Sequence, residues 1–313
     1  MAAYLGRRII GLVGTLLLIS IAVFAFLNVI PGDPAQIVLG IDADPAVYKA
    51  TRLRLGLDRP AVLRYADWLV HALRGDLGTS LHHGLPISTL IGSRLALTLP
   101  LTGMAMVLAV MLAIPLGVFT ATRHNRVGDY AGRFLMQIGM IVPEFWVGIL
   151  LILLFSVQLH WTPAGGFPGW GTTRVAIVAL LLPAVALAMP RVAVLGRLAR
   201  ASFLEVLNER YISAARAKGL AEWCVLYKHA MKNALIALAT LAGLLAAQLI
   251  AGSIIIENVF YLPGVGRLVF QAISSRDLPL VQGITVVIAF LIAIVNFSVD
   301  VIYGLLDPRI HYR

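Results

Sequence analysis

The sequence predicts an all-α membrane protein with six transmembrane helices. Apolar residues make up 60% of the 313-residue chain, charged residues make up 13%, and the mean hydropathy is +0.90. Soluble domains are about half apolar and about one quarter charged, so lipid is expected to solvate much of this chain. The apolar residues are also grouped into runs, and a helix needs about 20 such residues to cross the hydrocarbon core.

Six apolar runs reach or approach that length. They cover residues 9–30, 95–122, 134–159, 175–195, 233–256 and 278–299. Four runs contain no charged residue, and the third contains only Glu144. The fourth contains Pro183 and Pro190, and it crosses only if Arg191 extends its charge to the membrane surface. Six spans is the prediction, with five or seven as alternatives.

The basic residues predict the orientation of these spans. With the N-terminus inside, 15 of the 25 Lys and Arg residues fall in cytoplasmic segments, while the short outer loops hold three. Cytoplasmic loops carry an excess of Lys and Arg, so both termini are expected in the cytoplasm. We interpret Arg7-Arg8 as the anchor of a retained first span, because the run behind it is too long for a signal peptide core. The net charge of +10 does not indicate a nucleic-acid partner, because the basic residues lie between apolar runs.

The segment 31–94, between the first and second spans, is predicted to form short helices on the outer face. Its apolar residues from Pro60 to Trp68 recur at nearly helical spacing. The sequence therefore divides into 1–30 with the first span, 31–94 outside, and 95–313 with the other five spans. His82-His83 lies in the outer segment, but no carboxylate or cysteine completes a ligand set there, so no metal site is expected. Cys224 is the only cysteine, which excludes an intrachain disulfide.

A polar segment at 211–220 interrupts the apolar pattern between the fourth and fifth spans. From residue 202 onward, apolar residues recur at intervals of three and four, which predicts one helical face. They are Phe203, Val206, Leu207, Tyr211, Ile212 and Ala215. Gly219 follows a basic last turn, as a helix C-cap does. Without further information, an amphipathic helix on the inner leaflet accounts for this pattern.

The order of residues in this segment resembles a known family. Tyr211, then Ala-Arg-Ala-Lys-Gly at 215–219, then His229 and Asn-Ala-Leu at 233–235 resembles the cytoplasmic coupling segment of ABC-importer permeases. The match is to the dipeptide/oligopeptide/nickel branch. The similarity extends along nearly the whole chain, through residues 28–34, 55–60, 65–80, 143–146, 257–279 and 300–309. One departure is Leu95-Ala-Leu-Thr-Leu-Pro100, where the family has its proline before the threonine.

The resemblance implies a fold, partners and a mechanism. The fold would be that of a type I ABC importer permease, with a small extracytoplasmic helical subdomain and a cytoplasmic coupling segment at 197–232. The partners would be the lipid bilayer, a second homologous permease, two ABC ATPases and an extracytoplasmic solute-binding protein, in the cytoplasmic membrane of a prokaryote. The cargo would be a peptide or related small solute, moved by alternating access. ATP and Mg would bind to the partner ATPases, which agrees with the lack of a Gly-x-x-x-x-Gly-Lys-Ser/Thr loop in this sequence.

Candidate site residues follow from the resemblance together with the properties of the residues themselves. Those for coupling to the ATPase are Glu205, Tyr211, Ala215, Arg216, Ala217, Lys218 and Gly219. Those for the substrate path are Glu144, Phe145 and Trp146. A carboxylate there must face protein or water, and on the path it would attract a cationic or amine-bearing solute; the alternatives for Glu144 are a hydrogen bond to a neighbouring helix and a protonated side chain. Those for an outer gate or receptor docking are Glu257, Phe260, Pro263, Gly264, Gly266, Arg276 and Asp277, with plain connecting loops as the alternative. No catalytic or metal residue is expected.

Two other classes of function stay open at this point. A secondary transporter or channel would work without an ATPase, but such proteins place paired ionisable residues or broken helices at the midplane. The sequence offers only Glu144 there. A membrane-embedded enzyme is less favoured, because no nucleophile–base pair or metal-ligand set occurs within the spans. The sequence leaves open the cargo and whether the second permease is identical.

Overall fold

The computed structural model describes residues 2–29, 34–39, 44–54 and 56–306, and this part of the chain is helical with no β-strand. The α-helices are α1 (Ala2–Val29), α2 (Pro34–Leu39), α3 (Pro45–Arg54), α4 (Ala61–Leu73), α5 (Ile87–Thr122), α6 (Val127–Ile141), α7 (Glu144–Leu151), α8 (Thr173–Leu207), α9 (Arg210–Ala217), α10 (Glu222–Cys224), α11 (Met231–Val259), α12 (Val265–Ser274) and α13 (Leu278–Leu306). A π-helical stretch, Ile152–Gln158, continues α7, and another, Val225–Ala230, joins α10 to α11.

Five described helices contain segments long and apolar enough to cross a membrane. These segments are Gly6–Val29, Ile87–Thr122, Thr173–Leu207, Ala237–Val259 and Leu278–Val299. A sixth span is possible from the pair Val127–Ile141 and Glu144–Gln158, which are bent by 102° against each other. The all-α membrane architecture is therefore confirmed.

The third predicted span, 134–159, is not the single straight helix that its apolar run indicated. Pro143 lies between α6 and α7 with extended backbone angles (φ −61°, ψ 137°), and Val142 before it is also extended. Proline has no N–H to donate and disfavours the α conformation in the residue before it. These two constraints end α6 at Ile141 and allow a new helix to begin at Glu144 in a different direction.

The fourth predicted span, 175–195, is longer than expected. Helix α8 continues from Thr173 to Leu207 through Pro183 and Pro190 without a break. Pro183 is buried, and neighbouring helices can satisfy backbone groups that a proline leaves free in an apolar environment. Only 8% of Arg191 is exposed, so the condition set for this run, that Arg191 extends its charge to the membrane surface, is not met, and the longer helix is a candidate span without it.

The chain forms two compact units. Of the described residues, the first unit comprises those up to Thr98 together with Pro263–Ile294, and the second comprises Leu99–Leu262 with residues 295–306. The division predicted from the sequence, at residues 30 and 94, concerns sides of the membrane and stays a prediction. In the first unit, a core forms where the first turns of α5 and α13 pack with α12. Its buried members are Ile87, Leu90, Ile91, Val265, Leu268, Ala272, Leu280 and Ile284.

Short helices occupy the segment that follows α1, as its spacing predicted. Tyr65 of α4 contacts α1 through a 2.8 Å hydrogen bond between its hydroxyl and Ser20 Oγ, and its ring lies 5.3 Å from that of Phe24. Arg64 donates to Asn28 Oδ1 at 2.5 Å. These contacts give Asn28 and Tyr65, which were noted for their resemblance to the family, a packing role. The Pro-Gly-Asp sequence at 31–33 lies outside the described residues.

Candidate functional site

The candidate coupling segment consists of two helices rather than one. Helix α8 ends at Leu207, and α9 begins at Arg210 after an extended Glu209 (φ −70°, ψ 144°). The single helical face predicted from 202 to 220 is therefore wrong in its continuity, because Asn208 and Glu209 end the first helix. The side-chain amide of Asn208 donates to Leu204 O at 2.9 Å and so competes with helix continuation.

The C-terminus of α9 has the structure that the glycine predicted. Gly219 adopts φ +78°, a left-handed conformation that glycine reaches at no steric cost. Its N–H donates to Arg216 O at 2.9 Å, and the N–H of Leu220 donates to Ala215 O at 3.4 Å. This pair of bonds is the Schellman motif. It satisfies two of the carbonyls at the end of α9 and fixes the direction in which the chain leaves.

A buried cluster attaches α9 to the long helices on either side of it. The cluster comprises Val118, Ala121, Phe203, Ile212, Ala215, Val225, Ala230 and Ala234. Phe203 lies near the end of α8, and Ala234 lies near the start of α11. Because Ile212 and Phe203 are fully buried, a force on α9 would reach both long helices through close-packed side chains.

The predicted coupling residues divide into a buried anchor and an exposed surface. Ala215 is buried in the cluster, and the others are exposed: Glu205, Tyr211, Arg216, Ala217, Lys218 and Gly219. The Tyr211 hydroxyl accepts a 2.6 Å hydrogen bond from Asn233 Nδ2, which connects α9 to α11. Exposed Trp223 and Tyr227 lie next in the chain. Sequence reasoning missed both aromatic residues, although two exposed aromatics beside a basic helix are a signal for a protein interface.

Arg216 is held by an acidic neighbour that sequence reasoning did not single out. Its Nη2 lies 2.7 Å from Glu222 Oε1, and its Nε lies 3.2 Å from Glu222 Oε2. The hydrogen bond from Arg216 lowers the pKa of Glu222, and the carboxylate raises the pKa of Arg216 in turn. The pair closes the turn between α9 and α10.

Glu144 makes an ion pair with Arg191. The Glu144 carboxylate accepts a hydrogen bond from Arg191 Nη1, while Arg191 Nη2 donates to Gln248 O at 3.1 Å. The pair thus joins α7, α8 and α11. Gly252 leaves space for it, since a Cβ at that position would lie 2.8 Å from both charged groups. This arrangement matches the alternative in which Glu144 bonds a neighbouring helix, and the pairing with Arg191 is what sequence reasoning missed. The two substrate-path neighbours of Glu144, Phe145 and Trp146, are exposed.

A second buried ion pair joins α6 to α8. Asp129 is fully buried and accepts two hydrogen bonds from Arg200, from Nε at 2.7 Å and from Nη2 at 2.8 Å. The backbone N–H of Asn125 donates a third at 3.0 Å. Helix α6 also lies close to α5 here, since a Cβ at Gly132 would overlap the side chain of Thr120. In the sequence, Asp129 lies shortly before the third predicted span and Arg200 shortly after the fourth. That opposite charges lie near these two spans is the one signal from which the pair could have been predicted.

The residues assigned to an outer gate fall in both units. In the second unit, Glu257 and Phe260 are buried, and Phe260 O accepts a 2.9 Å hydrogen bond from Gly166 N. In the first unit, Gly264 and Gly266 are buried at the start of α12, Pro263 is partly buried, and Arg276 is exposed at φ +52°. These positions are compatible with a rigid loop, and a gating or docking role stays a prediction.

Asp277 has a structural role within the first unit. It is fully buried and accepts hydrogen bonds from Ser80 Oγ at 2.5 Å, from His82 N at 3.0 Å and from Leu280 N at 3.2 Å. It therefore fixes the loop around Ser80 to the start of α13. His82 and His83 have their rings 5.3 Å apart. Within the described part of the chain, no group of three or more His, Cys, Asp or Glu side chains is placed to hold a metal ion.

Comparison with known proteins identifies the family. Residues 113–312 match the model of the binding-protein-dependent transport system inner membrane component, and residues 1–102 match that of the N-terminal part of such membrane components. A putative peptide transport system permease protein of Brucella suis is 38% identical over the full length of both chains. The glutathione transport system permease protein GsiC of Salmonella typhimurium is 37% identical over the same extent. The chain belongs to this family.

The permease also shares its fold with a solved transporter. An inward-facing structure of the MetNI methionine ABC transporter superposes with a TM-score of 0.59 over 70% of this permease and 96% of that chain, at 18% identity. A second crystal form of it gives a TM-score of 0.55. The predicted type I importer fold is confirmed.

The structure removes one reason for setting a secondary transporter aside. From the sequence, that class was disfavoured because neither paired ionisable residues nor broken helices were evident near the midplane. The permease has both, in the Glu144–Arg191 pair and in the bend at Pro143. That argument therefore fails, and the full-length relatives carry the assignment instead.

Proposed function

We propose that this permease is the membrane-spanning subunit through which an ATP-driven importer moves peptides, or a related small solute, by alternating access. The observation that carries the proposal is its similarity, over its full length, to permeases named for peptide and glutathione transport. Peptides and glutathione share amide bonds and free carboxylates. One path that serves both would recognise these groups rather than particular side chains.

Helix α9 is proposed as the element through which ATP hydrolysis acts. Its exposed residues, Arg216 to Gly219 among them, are available to a partner, while Ala215 and Ile212 anchor it in the buried cluster. The left-handed cap at Gly219 keeps its C-terminus fixed. A partner ATPase that pressed on α9 would therefore move α8 and α11 together, since α9 shares a core with both.

The partners and orientation are proposed from the same reasoning. ATP and Mg bind to two separate ATPase subunits, a second permease completes the path, and a solute-binding protein delivers cargo on the opposite side. Helix α9 and both termini lie in the cytoplasm of a prokaryotic cell. The segment from Phe260 to Asp277, which contains α12, lies on the outer side, because α11 crosses the membrane between it and α9.

The Glu144–Arg191 pair is proposed to position helices rather than to attract cargo. A carboxylate already paired with a guanidinium offers little net charge to a cationic solute. The pair lies just after the bend at Pro143, where it holds the start of α7 against α8 and α11. Exposed Phe145 and Trp146, on the same turn, are the proposed contacts with the path.

Single-cysteine cross-linking tests the coupling proposal. The permease has one native cysteine, so Cys224→Ser gives a background in which one new thiol can be placed at will. Lys218→Cys is expected to cross-link to the ATPase subunit in membranes and to react with a maleimide added from the cytoplasmic side. Phe270→Cys, on the exposed face of α12, is the matched control and is expected to react only from the outer side. Labelling of both positions from one side would refute the proposed topology.

A secondary transporter or channel is the second candidate, and one observation favours it. Broken helices and buried charge pairs are typical of transporters that work without an ATPase, and this permease has a 102° bend beside an ion pair. Transport by the purified permease without ATP would support that candidate. Loss of all transport when the ATPase is removed would exclude it.

A further inference from the structure

Helix α6 carries an exposed apolar stripe opposite its packing face. The members of the stripe recur at intervals of three and four residues, and each is 40% to 84% exposed: Val127, Tyr130, Phe134, Ile138 and Ile141. The opposite face is buried against α5 and α8, and it carries Asp129, Gly132, Met136 and Gly139. The apolar stripe is therefore presented to whatever surrounds this part of the second unit.

Three arginines lie at one end of the apolar stripe. Arg123, Arg126 and Arg133 are all exposed. Arg133 belongs to this end because its side chain is directed back along α6, with Nε 3.6 Å from Asp129 Oδ1. Asp129 is the only acidic residue of the sequence between 123 and 133, and Arg200 already pairs with it. This end of the stripe therefore has a net positive charge.

Two of these guanidinium groups are held in place by aromatic rings. The Arg123 Cζ lies 4.1 Å from the centroid of the Phe119 ring. The Arg133 Cζ lies 4.6 Å from that of Tyr130. Gly128 leaves space for the first stack, since a Cβ there would lie 3.1 Å from Arg123 Cδ and 3.3 Å from the ring. Stacking occupies the face of a guanidinium, and the N–H groups at its edge are the donors that bind two oxygens of a phosphate.

The arginines and the apolar stripe together match the two parts of a phospholipid. The arginines follow the end of α5, a candidate span, so they lie where lipid headgroups are expected. From Val127 to Ile138, α6 rises by about 17 Å, which is close to half of a hydrocarbon core about 30 Å thick. A soluble phosphate would not need the stripe, and an apolar partner helix would not need the arginines.

We propose that Arg123, Arg126, Arg133 and the apolar stripe bind an anionic phospholipid of the cytoplasmic leaflet. The arginines bind the phosphate and the negative headgroup, and one acyl chain lies along the stripe. The choice of leaflet rests on the proposed function, which places the turn between α5 and α6 on the same side as α9. Because Arg200 joins α6 to α8, the bound lipid would also restrain α8, the helix that precedes α9.

Fluorescence quenching by brominated lipid tests which lipid lies next to α6. A fluorophore is attached to Gln137→Cys in the Cys224→Ser background, because Gln137 is exposed beside the stripe. The complete transporter is reconstituted in mixtures of phosphatidylglycerol and phosphatidylcholine with the same acyl chains, and either lipid carries the bromine. The two quenching curves give the ratio of the binding constants of the two lipids at this position. That ratio does not depend on how much of a variant assembles.

Phosphatidylglycerol is expected to be favoured at Gln137 by roughly tenfold. Arg123→Gln and Arg126→Gln leave the Asp129–Arg200 pair intact, and each is expected to lower the preference about fivefold. Together they should abolish it. A local folding defect in one variant would not be reproduced by the other.

Two controls come from the other end of α8. Arg174→Gln removes one exposed charge there and should leave the ratio at Gln137 unchanged. A fluorophore at Ile177→Cys, on an exposed apolar position of α8, should report a ratio near one. An equal preference at Ile177 and Gln137 would overturn the assignment, since it would show a general enrichment of anionic lipid around the transporter.

Other outcomes would also overturn the assignment. A ratio near one at Gln137, or a preference that both arginine variants retain, would show that these arginines do not select the lipid. An absence of quenching by either lipid would show that another protein covers the stripe. A preference seen only without the ATPase subunits would show that the arginines contact the ATPase.

Free phosphate is distinguished from the lipid by competition. Excess inorganic phosphate at constant ionic strength should leave the ratio at Gln137 unchanged, and loss of the preference would reveal a site for a small anion instead. None of these outcomes affects the proposed function. That function would be removed by failure of ATP-dependent uptake, which the quenching ratio does not measure.

Discussion

Arg191 connects its own helix, α8, to two others, because its two terminal nitrogens reach Glu144 in α7 and Gln248 O in α11 as well as Leu187 O one turn away. A charge in this position is tolerated only while its partners are in place, since burying an unpaired charge is costly. The same holds for Glu144, whose side chain is 15% exposed. Removal of either member of the pair therefore leaves the other as an unpaired buried charge.

Substitutions at this pair should be strongly non-additive. We expect Glu144→Gln and Arg191→Gln each to destabilise the permease by about 3 kcal/mol, because each leaves one buried charge unpaired. The double variant should lose less than the sum of the two. Thermal unfolding in detergent measures all three, and Arg174→Gln, an exposed arginine on the same helix, is the control with little expected effect. Additive losses would contradict the pairing.

The Arg216–Glu222 pair should stabilise α9 in a pH-dependent manner. Because the pKa of Glu222 is lowered below its ordinary value of 4.5, the contribution is present in full above that value and is lost as the pH falls through the lowered pKa. Both side chains are largely exposed, so the contribution is at most about 1 kcal/mol.

Hydrogen exchange of the α9 amides measures this contribution. At pH 7, Glu222→Gln should exchange faster than the natural protein by up to about fivefold, which corresponds to that energy. At a pH well below the lowered pKa, the two proteins should exchange at the same rate. A difference that persisted there would place the effect elsewhere than in the ion pair.

At the scale of the element, the cap of α9 is the most testable feature. Gly219 has φ +78°, and a residue with a Cβ pays about 1 kcal/mol or more in that conformation. We expect Gly219→Ala to loosen the end of α9 and to reduce ATP-dependent transport several-fold while the spans stay folded. Gly171→Ala is the matched control, since Gly171 has ordinary φ and open space around it. Equal effects at the two positions would argue against a role for the cap.

The contact between α5 and α8 depends on a glycine. A Cβ at Gly117 would lie 3.0 Å from Arg200 N and 3.1 Å from the carbonyl carbon of Ala199, both backbone atoms that cannot turn aside. Gly117→Ala should therefore destabilise the permease by about 1–3 kcal/mol, as overpacking does. Gly103→Ala in the same helix has no atom within 4 Å of its Cβ and should be neutral or stabilising. Thermal unfolding compares the two, and similar shifts would contradict the close contact.

The apolar runs predicted the existence of the spans better than their geometry. Hydropathy places both ends of α11, and one end each of α1, α5 and α13, to within three residues, because a long uncharged run can only be buried or lie in lipid. It could not show that Pro143 ends a helix while Pro183 lies inside one. That difference depends on which neighbours can satisfy the backbone groups that each proline leaves free, and those neighbours are distant in sequence.

At the scale of the whole molecule, the order of motifs predicted the family and the location of the candidate site. It did not predict the partners of the charged residues. Arg191 pairs with Glu144 across 47 positions, and Arg200 pairs with Asp129 across 71. Each was counted as a basic residue at the end of a span, since sequence spacing reveals a side-chain partner only within one helix turn. The division between buried Ala215 and exposed Lys218 likewise needed the tertiary cluster.

The packing of α9 also explains how a short helix could move several long ones. The buried cluster that holds Ile212 and Ala215 includes residues of α5, α8 and α11, and Asp129–Arg200 joins α6 to the same α8. A displacement of α9 would therefore act on several candidate spans together. Import by alternating access requires that an ATPase supply this displacement.

Uptake into liposomes is the most direct test of that requirement. The permease is reconstituted with its partner permease and binding protein, with and without the ATPase subunits, and accumulation of a labelled peptide is followed after ATP is added. We expect accumulation only when the ATPase and ATP are both present. Accumulation of the peptide by the permeases alone, driven by an ion gradient and indifferent to ATP, would show that no ATPase supplies the displacement of α9.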